Sequence, residues 1–297
     1  MKQRRIFALG FFDGVHLGHQ ALLSACVRIA RANGAQPAAI TFDQHPKALY
    51  TQNYPMLINT LEDRKRLLHH YQIEHIHVVP VNADTMNKPW RTFLDELVED
   101  GAVGFVCGDD FHFGHKGIGH AGKLEAYCQE HGFPCKIIQE QALGRIRISS
   151  TRVRSLIAAG EMETAALFLG HPHIFSDEVV HGRHLGRTIG VPTANILIPH
   201  GMVIPRMGVY VTSCQLGDKT YAAVTNIGSR PTVEGHQLRT ESWLLDYEGD
   251  LYDTTITLQF HHYLRPEKKF LSLEYLRAQI DRDAAAARRK LDLNTIR

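Results

Sequence analysis

Two histidines, His16 and His19, stand three positions apart at the junction of two sequence patterns. They belong to the segment 9–20, LGFFDGVHLGHQ, which closes a short apolar run and precedes apolar residues at helical spacing. This order predicts a buried strand that passes through a glycine-rich corner into a helix. The free N–H groups and the positive dipole end of a helix start favour an anion, and two imidazoles add hydrogen-bond donors. The predicted chemistry is therefore phosphate binding.

An alternative for this corner is that the two histidines only cap a surface helix. The glycines favour the phosphate site, because the strand, the corner and the helix that such a site requires occur together. Gly18 in particular carries no side chain that would keep a phosphate away.

The elements that must position these histidines alternate between strand and helix patterns. Strands are predicted near 37–43, 73–81, 102–107 and 135–140, and helices near 60–71, 92–99 and 123–131. Thr60 is the predicted N-cap of the first of these helices. The alternation predicts a Rossmann-like domain, with a parallel sheet and ligands at the carboxyl ends of its strands.

Polar segments also follow other predicted strands, at 41–46, 108–114 and 147–152. In the last segment, two hydroxyl residues stand between Arg147 and Arg152 just before a predicted helix. Consecutive hydroxyls at a helix start either cap its N–H groups or join the arginines in binding a terminal phosphate. On these residues alone, capping is the favoured interpretation.

The second half of the chain has a different character. Short β-type runs occur at 178–180, 209–211, 221–224 and 255–260, with turn signals at 217–218 and 247–250 that each predict a hairpin. These runs predict a small antiparallel barrel of the six-stranded type. A closing helix carries one apolar stripe, formed by Leu273, Leu276, Ile280, Ala284, Ala287 and Leu291, that should lie against the barrel.

Two short helices, predicted at 151–160 and 162–169, lie between the halves. The helical pattern ends at Gly170, so the predicted domains are 1–170 and 171–297.

The chemistry of the second half should lie in 182–195, GRHLGRTIGVPTAN. Its glycines recur at four-residue intervals and permit a loop with inward-pointing amides. Thr193 and Asn195 would bring a hydroxyl and an amide oxygen into one short turn, and such oxygens suit magnesium and phosphate. The alternative is a turn whose polar groups are satisfied by its own backbone.

Composition excludes several classes of protein. The 297 residues carry a net charge of +2, which is too small to predict a nucleic-acid surface, and no apolar run approaches the ~18 residues of a membrane span. Asp13 interrupts the N-terminal apolar run, so no secretion signal is predicted.

The five cysteines lack Cys-x-x-Cys spacing and are expected to be reduced thiols of a cytoplasmic protein. None of the histidines has the His-Glu-x-x-His or Cys/His spacing of a zinc site, so no structural zinc site is expected. Oligomeric state cannot be predicted from these features.

The residues 12–20, FDGVHLGHQ, carry a resemblance to a known family. They resemble the His-x-Gly-His signature of nucleotidyltransferases and, more narrowly, the adenylyltransferase half of prokaryotic bifunctional riboflavin kinase/FAD synthetases. The segments 148–154, ISSTRVR, and 108–114, GDDFHFG, are similar to the phosphate-binding segment and the flavin loop of those enzymes.

The second half of the chain resembles the riboflavin kinase half of the same family. The run 182–195 resembles the riboflavin kinase signature, and 226–232, NIGSRPT, and 264–270, LRPEKKF, match that family in the same order. The resemblance therefore covers nearly the whole chain.

The resemblance implies two magnesium-dependent reactions. Riboflavin and ATP give FMN and ADP in the barrel, and FMN and a second ATP give FAD and pyrophosphate in the N-terminal domain. The implied catalytic residues are Glu241, His16, His19 and Arg147. The implied ATP and phosphate contacts are Gly10, Phe12, Gly18, Ser150, Thr151, Arg152, Gly182, Gly186 and Gly190. The implied flavin contacts are Asp110, Phe111, Asn226 and Arg230, and the implied metal ligands are Thr193 and Asn195.

The two reactions differ in their need for a base. Adenylyl transfer needs none, because the attacking phosphate oxygen of FMN is already anionic; it needs alignment and relief of charge. The primary hydroxyl of riboflavin does need one, and Glu241 matches the family's catalytic glutamate. The alternative is a rim glutamate paired with a neighbouring arginine.

Three departures from the family pattern concern flavin placement. Phe11 replaces a small polar residue, Gln44 replaces a proline, and Ser242-Trp243 replaces an aliphatic-histidine pair. Two other functions stay open. One is nucleotidyl transfer to another phosphorylated acceptor, and the other is a flavin-binding regulator without turnover.

Overall fold

The computed structural model describes residues 2–181, 190–232 and 235–291, with the backbone alone at 230–232 and 235–237. The chain divides into two compact units, Met1–Ser150 and Thr151–Arg297, and each is described by itself.

The first unit contains a five-stranded parallel sheet in the order β3-β2-β1-β4-β5. Its strands are β1 (Arg5–Leu9), β2 (Gln36–Phe42), β3 (His75–Val79), β4 (Ala102–Gly108) and β5 (Cys135–Ile138). Its helices are α1 (Leu17–Ala32), α2 (Leu61–His70), α3 (Ala83–Met86), α4 (Trp90–Glu99) and α5 (Ala121–His131). The predicted Rossmann-like fold is confirmed, and α3 is an addition to it.

Burial explains why this sheet forms around β1. Residues 6–9 of β1 are fully buried because helices cover both faces of a parallel sheet. Leu22, Leu23 and Cys26 of α1 are buried as well, so the apolar stripe of that helix lies inward. Thr60 accepts a hydrogen bond from the backbone N–H of Asp63, which confirms it as the N-cap of α2. A short hairpin, β6 (Ala142–Leu143) and β7 (Ile146–Arg147), follows the sheet.

The second unit contains a six-stranded antiparallel sheet in the order β8-β13-β10-β11-β12-β9. Its strands are β8 (His173–Glu178), β9 (Ala194–Leu197), β10 (Gly208–Leu216), β11 (Lys219–Thr232), β12 (Gly235–Leu244) and β13 (Thr255–Arg265). Just beyond β8, the N–H of Val180 donates to the carbonyl of Asn195 in β9 at 2.8 Å. This bridge joins the two edges of the sheet, which confirms the predicted barrel.

The helices of this part of the chain come before the first strand and after the last strand of the barrel. They are α6 (Ser150–Ala159), α7 (Met162–Leu169) and α8 (Leu273–Lys290). Among the described residues, no helix is both long enough and apolar enough to cross a membrane.

The strand connections of the barrel differ in part from the sequence prediction. The hairpin at 217–218 is confirmed, since Leu216 of β10 pairs with Lys219 of β11. The predicted hairpin at 247–250 is wrong, because β12 pairs with β11 and β9, whereas β13 pairs with β10 and β8. The first strand lies at His173–Glu178 rather than 178–180. Strands that are neighbours along the chain therefore pair at β10–β11 and β11–β12 but not at β12–β13.

The closing helix α8 buries less of its apolar stripe than predicted. Ala284, Ala287 and Leu291 are buried against the barrel core, but Leu273 is 60% exposed. An ion pair of 2.7 Å between Arg265 of β13 and Asp283 of α8 adds a polar anchor at the buried end. The helix is therefore held by its second half.

Candidate active sites

The corner between β1 and α1 has an unusual backbone. Phe12 and Val15 have φ values of 58° and 40°, in the left-handed region that side chains other than glycine rarely adopt. Both side chains are fully buried, and this burial offsets the local strain. Gly14 between them also has a positive φ of 84°. The corner is thus fixed by burial on either side of a glycine.

The corner brings His16 and His19 together. His16 is the N-cap of α1, and its Nδ1 accepts a hydrogen bond from the backbone N–H of His19 at 3.3 Å. The two rings stack with centroids 3.7 Å apart and an interplanar angle of 11°. A Cβ atom on Gly18 would lie 3.2 Å from the His16 ring, so this glycine leaves room for the imidazole itself.

A cavity of about 220 Å³ opens at the carboxyl ends of β1, β4 and β5. Its lining combines the histidine corner with the segments 108–114 and 147–152, which were expected to converge there, whereas the segment 41–46, expected to join them, does not line it. The predicted site residues that line it are Gly10, His16, Gly18, His19, Asp110, Phe111, Arg147 and Ser150. The cavity therefore combines imidazole, guanidinium, hydroxyl and backbone donors with the Phe111 ring.

Three other predicted residues do not line this cavity. Phe12 is fully buried, and its ring lies 5.2 Å from the ring of His19. A Cβ atom on Gly10 would lie 2.9 Å from the Phe12 ring, so these two residues form a packing pair beneath the histidines. Thr151 and Arg152 begin the second unit, within α6.

Asp13 is a residue that the sequence analysis did not assign to the site. Its buried carboxylate accepts hydrogen bonds from the backbone N–H groups of Ile58 and Asn59, both at distances between 2.9 and 3.2 Å. Its backbone carbonyl accepts from the hydroxyl of Ser150 at 2.9 Å. Asp13 therefore links the histidine corner to the chain before α2 and to Ser150. Its place in the segment 12–14, FDG, is the sequence feature that could have identified it as part of the site.

Arg147 is held by two carboxylates at the mouth of the cavity. Its guanidinium lies 2.9 Å from Asp110 and 2.5 Å from Glu140. All three side chains are between 43% and 63% exposed, so a bound phosphate can reach the arginine. Glu140 was not predicted as a site residue, because its pairing with Arg147 depends on the β6–β7 hairpin.

Phe11 and Gln44, which depart from the family pattern, both contact other residues in this structure. The Arg64 guanidinium lies 4.3 Å from the centre of the Phe11 ring, and the His45 ring packs against its edge at 5.3 Å. Gln44 donates from Nε2 to the carbonyl of Val81 at 3.2 Å. Phe11 is thus part of an aromatic and cationic cluster that borders the cavity.

The second unit aligns three predicted residues across neighbouring strands. Glu241 of β12 pairs in register with Asn195 of β9 on one side and with Asn226 of β11 on the other. Residues that pair directly in antiparallel strands point to the same face, with Cβ atoms about 4.5–5.5 Å apart. A carboxylate is therefore flanked by two amides, and this row is called the Asn195–Glu241–Asn226 row.

Hydrogen bonds orient both amides of this row. Asn195 donates from Nδ2 to the carbonyl of Thr193 at 3.3 Å, and Asn226 donates from Nδ2 to Glu267 at 2.9 Å. The Oδ1 atoms of both asparagines are buried and accept no hydrogen bond within the described part of the chain. Two amide oxygens are thus available as acceptors or ligands.

The structure corrects the prediction of one short turn at 192–195. Ala194 and Asn195 belong to β9, because they pair with Ser242 and Glu241 of β12. Glu267 is a further residue that the sequence analysis did not assign, although it lies in the matched run 264–270. A Cβ atom on Gly228 would lie 2.6 Å from its Oε1, so the backbone of β11 is open where this carboxylate approaches Asn226.

Some predicted residues of the second site lie outside the described part of the chain. These are Gly182, Gly186 and the side chain of Arg230. Gly190 is described and has a positive φ of 70°.

Comparison with known proteins identifies both units. The family model described as FAD synthetase matches residues 1–152, and the family model described as riboflavin kinase matches residues 169–291.

Curated relatives match over nearly the full length. The bifunctional riboflavin kinase/FMN adenylyltransferase of Escherichia coli K12 is 37% identical over 95% of this chain and 91% of that protein. The protein of the same name from Listeria monocytogenes is 34% identical over 94% of this chain and 90% of its own length. A solved structure described as a macrolide-efflux protein from Streptococcus pneumoniae superposes with a TM-score of 0.85 at 28% identity, covering 97% of this chain and 95% of that one. The resemblance noted in the sequence is confirmed, and the chain belongs to the family of bifunctional riboflavin kinase/FMN adenylyltransferases.

Proposed function

We propose that this chain makes FAD from riboflavin in two steps, each in its own domain. Residues 171–297 convert riboflavin and ATP to FMN and ADP, and residues 1–170 convert FMN and a second ATP to FAD and pyrophosphate. The observation that carries this proposal is the presence of a distinct polar site in each unit, one around His16 and His19 and one around Glu241. Gly170, which ends α7 with a φ of 76°, supports the domain boundary.

For adenylyl transfer, the first site supplies charge relief and alignment. His16, His19 and the N–H groups at the start of α1 donate to the phosphates of ATP, where negative charge develops during attack by FMN. Arg147 neutralises the departing pyrophosphate. Phe111 and Asp110 contact the flavin end of FMN. The attacking oxygen is already an anion, so this site requires no base.

For riboflavin phosphorylation, Glu241 is the base. It takes the proton of the primary hydroxyl as that oxygen attacks the terminal phosphorus of ATP. Asn226 faces the same side of the barrel and contacts the flavin, with its amide oriented by Glu267. Gly182, Gly186 and Gly190 hold the phosphates of ATP through their amides, and Arg230 contacts the flavin.

Magnesium fits the donors of the second site. The Asn195 Oδ1 is buried and accepts no hydrogen bond from any described residue, and an amide oxygen is a ligand that this hard cation prefers. Asn195 and the hydroxyl of Thr193 would hold the ion. An ion held there would neutralise the negative charge that develops on the phosphates. In the first site, the phosphates themselves would supply most of the ligands of magnesium.

A time course of products tests the proposed function. The full chain is incubated with riboflavin, ATP and magnesium, and FMN and FAD are separated and quantified. FMN should appear first and FAD should follow. Formation of neither product, with flavin bound and ATP unchanged, would indicate a binding protein. FAD formation only from supplied FMN would restrict the activity to the first site.

The same assay tests the assignment of the first site. His19→Ala removes one imidazole but leaves the His16 cap of α1, which uses the backbone N–H of residue 19. FAD formation from FMN should fall by about 10²- to 10³-fold, the usual cost of one preorganised donor. FMN formation should be unchanged. His70→Ala, on the exposed end of α2, is the matched control. Loss of FMN formation in a folded His19→Ala chain would contradict the assignment.

A further inference from the structure

Three side chains with metal-binding atoms converge at the amino ends of the strands, opposite the His16 cavity. His75 and His77 are alternate residues of the edge strand β3, so both lie on the same face of the sheet. Asp100 directly follows α4, which packs on that face through Leu94 and Leu97. One ligand atom from each side chain lies within 4.8 Å of the others.

His75 forms a hydrogen bond with Asp100, and the separations within this cluster also fit a metal site. His75 Nε2 and His77 Nδ1 lie 3.3 Å and 3.5 Å from the same oxygen, Asp100 Oδ2. A tetrahedral ion with bonds of about 2.0–2.1 Å places its ligand atoms about 3.3–3.4 Å apart. Hydrogen bonds between an imidazolium and a carboxylate are usually about 2.7–2.9 Å long. Two imidazoles directed at one carboxylate oxygen at these distances fit the edges of a coordination tetrahedron.

The surroundings hold the carboxylate of Asp100 in place. Arg5 donates to the other oxygen, Asp100 Oδ1, at 3.0 Å, which leaves Oδ2 facing the two imidazoles. Such partners of a ligand fix its orientation in known metal sites. Asp100 also lies at the carboxyl end of α4, where the helix dipole is negative. The three side chains are 30–42% exposed, so an ion can enter and a water molecule can occupy the fourth position.

We propose that His75, His77 and Asp100 bind a divalent transition-metal ion of the zinc class. Two imidazole nitrogens and one carboxylate oxygen are a donor set for zinc, cobalt, nickel or copper rather than for magnesium or calcium, which require oxygen ligands. The ion joins β3 to the end of α4, and it is separate from the magnesium of catalysis. The His-x-His spacing is visible in the sequence, but Asp100 lies 25 residues beyond His75 and only the fold brings it close.

Cobalt provides the direct test, because its visible absorption reports coordination number. The untagged full chain is titrated with Co²⁺ alone, and the bound Co²⁺ is then displaced with Zn²⁺. One equivalent should give the intense visible band of a four-coordinate ion, and Zn²⁺ should remove it. His77→Ala should weaken Co²⁺ binding by about 100-fold or more. Removing a residue that only supports a ligand costs about 10- to 100-fold in metal affinity, and removing a ligand itself should cost at least as much. His70→Ala, which removes an exposed histidine outside the cluster, should bind as the natural chain does.

Two results would overturn the proposal. One is the absence of the four-coordinate band at one equivalent, and the other is equal binding by the His77→Ala and His70→Ala chains. His75→Gln provides a second variant in case the first fails to fold. FAD formation, which uses the other end of the sheet, verifies folding of each variant without depending on the cluster.

Discussion

At the scale of single residues, Glu241 shows how position gives a common side chain a particular role. Its carboxylate lies in register between Asn195 and Asn226, on the face where both amides present an oxygen without a described hydrogen-bond donor. The proposed role of Glu241 as the base requires that it reach the riboflavin hydroxyl, and the row places one amide on each side of its carboxylate.

Replacing this carboxylate should separate the two activities. Glu241→Gln keeps the shape of the side chain but removes the base, so FMN formation should fall by roughly 10²- to 10⁴-fold. FAD formation from supplied FMN should persist, because it occurs in the other unit. Glu248→Gln, an exposed glutamate of the same unit, is the control. Product analysis with riboflavin and then with FMN checks both steps, and equal loss of both would argue against separate sites.

Arg147 provides a second prediction at this scale. If Arg147 binds the phosphates of ATP as proposed, Glu140 competes with them for its guanidinium, and a partly exposed pair of this kind is worth at most about 1 kcal/mol. Glu140→Gln should therefore lower the KM for ATP in FAD formation by up to about fivefold, with little change in kcat. Steady-state kinetics with saturating FMN measures the effect. Glu130→Gln, whose carboxylate pairs with Arg91 elsewhere, is the control. A higher KM would mean that Glu140 positions Arg147 rather than competing for it.

At the scale of elements, the first turn of α1 is shaped for function rather than for helix stability. Gly18 is the second residue of the helix, where alanine would be about 1 kcal/mol more favourable. A Cβ atom at this position would lie 3.2 Å from the ring of His16, closer than an ordinary contact. A glycine here therefore lets the imidazole lie over the helix start without displacement.

Gly18→Ala should separate stability from activity. The added Cβ displaces the His16 ring by a few tenths of an ångström, and FAD formation should fall by about tenfold because such donors depend on alignment. The free energy of unfolding should be unchanged or higher. Gly122→Ala is a matched control, since Gly122 is also the second residue of its helix, α5, and its nearest contact is 3.4 Å. Full activity in Gly18→Ala would show that the exact place of the His16 ring is unimportant.

At the scale of the whole molecule, the barrel carries a buried histidine, His173, and a half-buried one, His261, that make its stability depend on pH. Burial lowers the pKa of His173 to about 3, with a smaller contribution from His171, and burial lowers the pKa of His261 to about 4. His173 packs beside Phe260 in the barrel interior, and its Nδ1 has no hydrogen-bond partner among the described residues. Both rings are therefore neutral in the folded barrel at neutral pH.

The sign of the effect follows from proton uptake. An unfolded histidine has a pKa near 6.5, so below that pH the unfolded chain binds protons that the folded barrel does not. The contribution of His173 to stability is complete above pH 6.5 and is lost as the pH falls toward 3. The loss is at most about 2 kcal/mol between pH 6.5 and 5, at about 1.4 kcal/mol per pH unit.

Denaturant unfolding at pH 6.5 and pH 5 measures this dependence. In a Trp90→Phe chain, the remaining tryptophan, Trp243, reports on the barrel alone. Adding His173→Gln should reduce the difference in unfolding free energy between the two pH values. His200→Gln removes an exposed histidine and should leave the difference unchanged. If the unfolding free energy of the His173→Gln chain differs between pH 6.5 and pH 5 by as much as before, groups other than His173 cause the pH dependence.

The sequence by itself determined the features that are local along the chain. The apolar run of β1, the glycine corner and the start of α1 occupy adjacent residues, so their periodicity correctly predicted a buried strand that passes into a helix beside His16 and His19. The alternation of strands and helices gave the parallel sheet in the same way. The short runs and turn signals of the second half gave the barrel but misplaced its first strand.

Only the tertiary structure decided which distant residues meet. The Asn195–Glu241–Asn226 row depends on strand register, and the predicted hairpin at 247–250 failed because β12 pairs with β9 and β13 pairs with β8, both far away along the chain. Glu140 reaches Arg147 through a short hairpin, and Asp100 reaches His75 through the packing of α4. Periodicity reports which face of an element is buried, whereas contacts between elements depend on register and packing, which are set by interactions far apart in sequence.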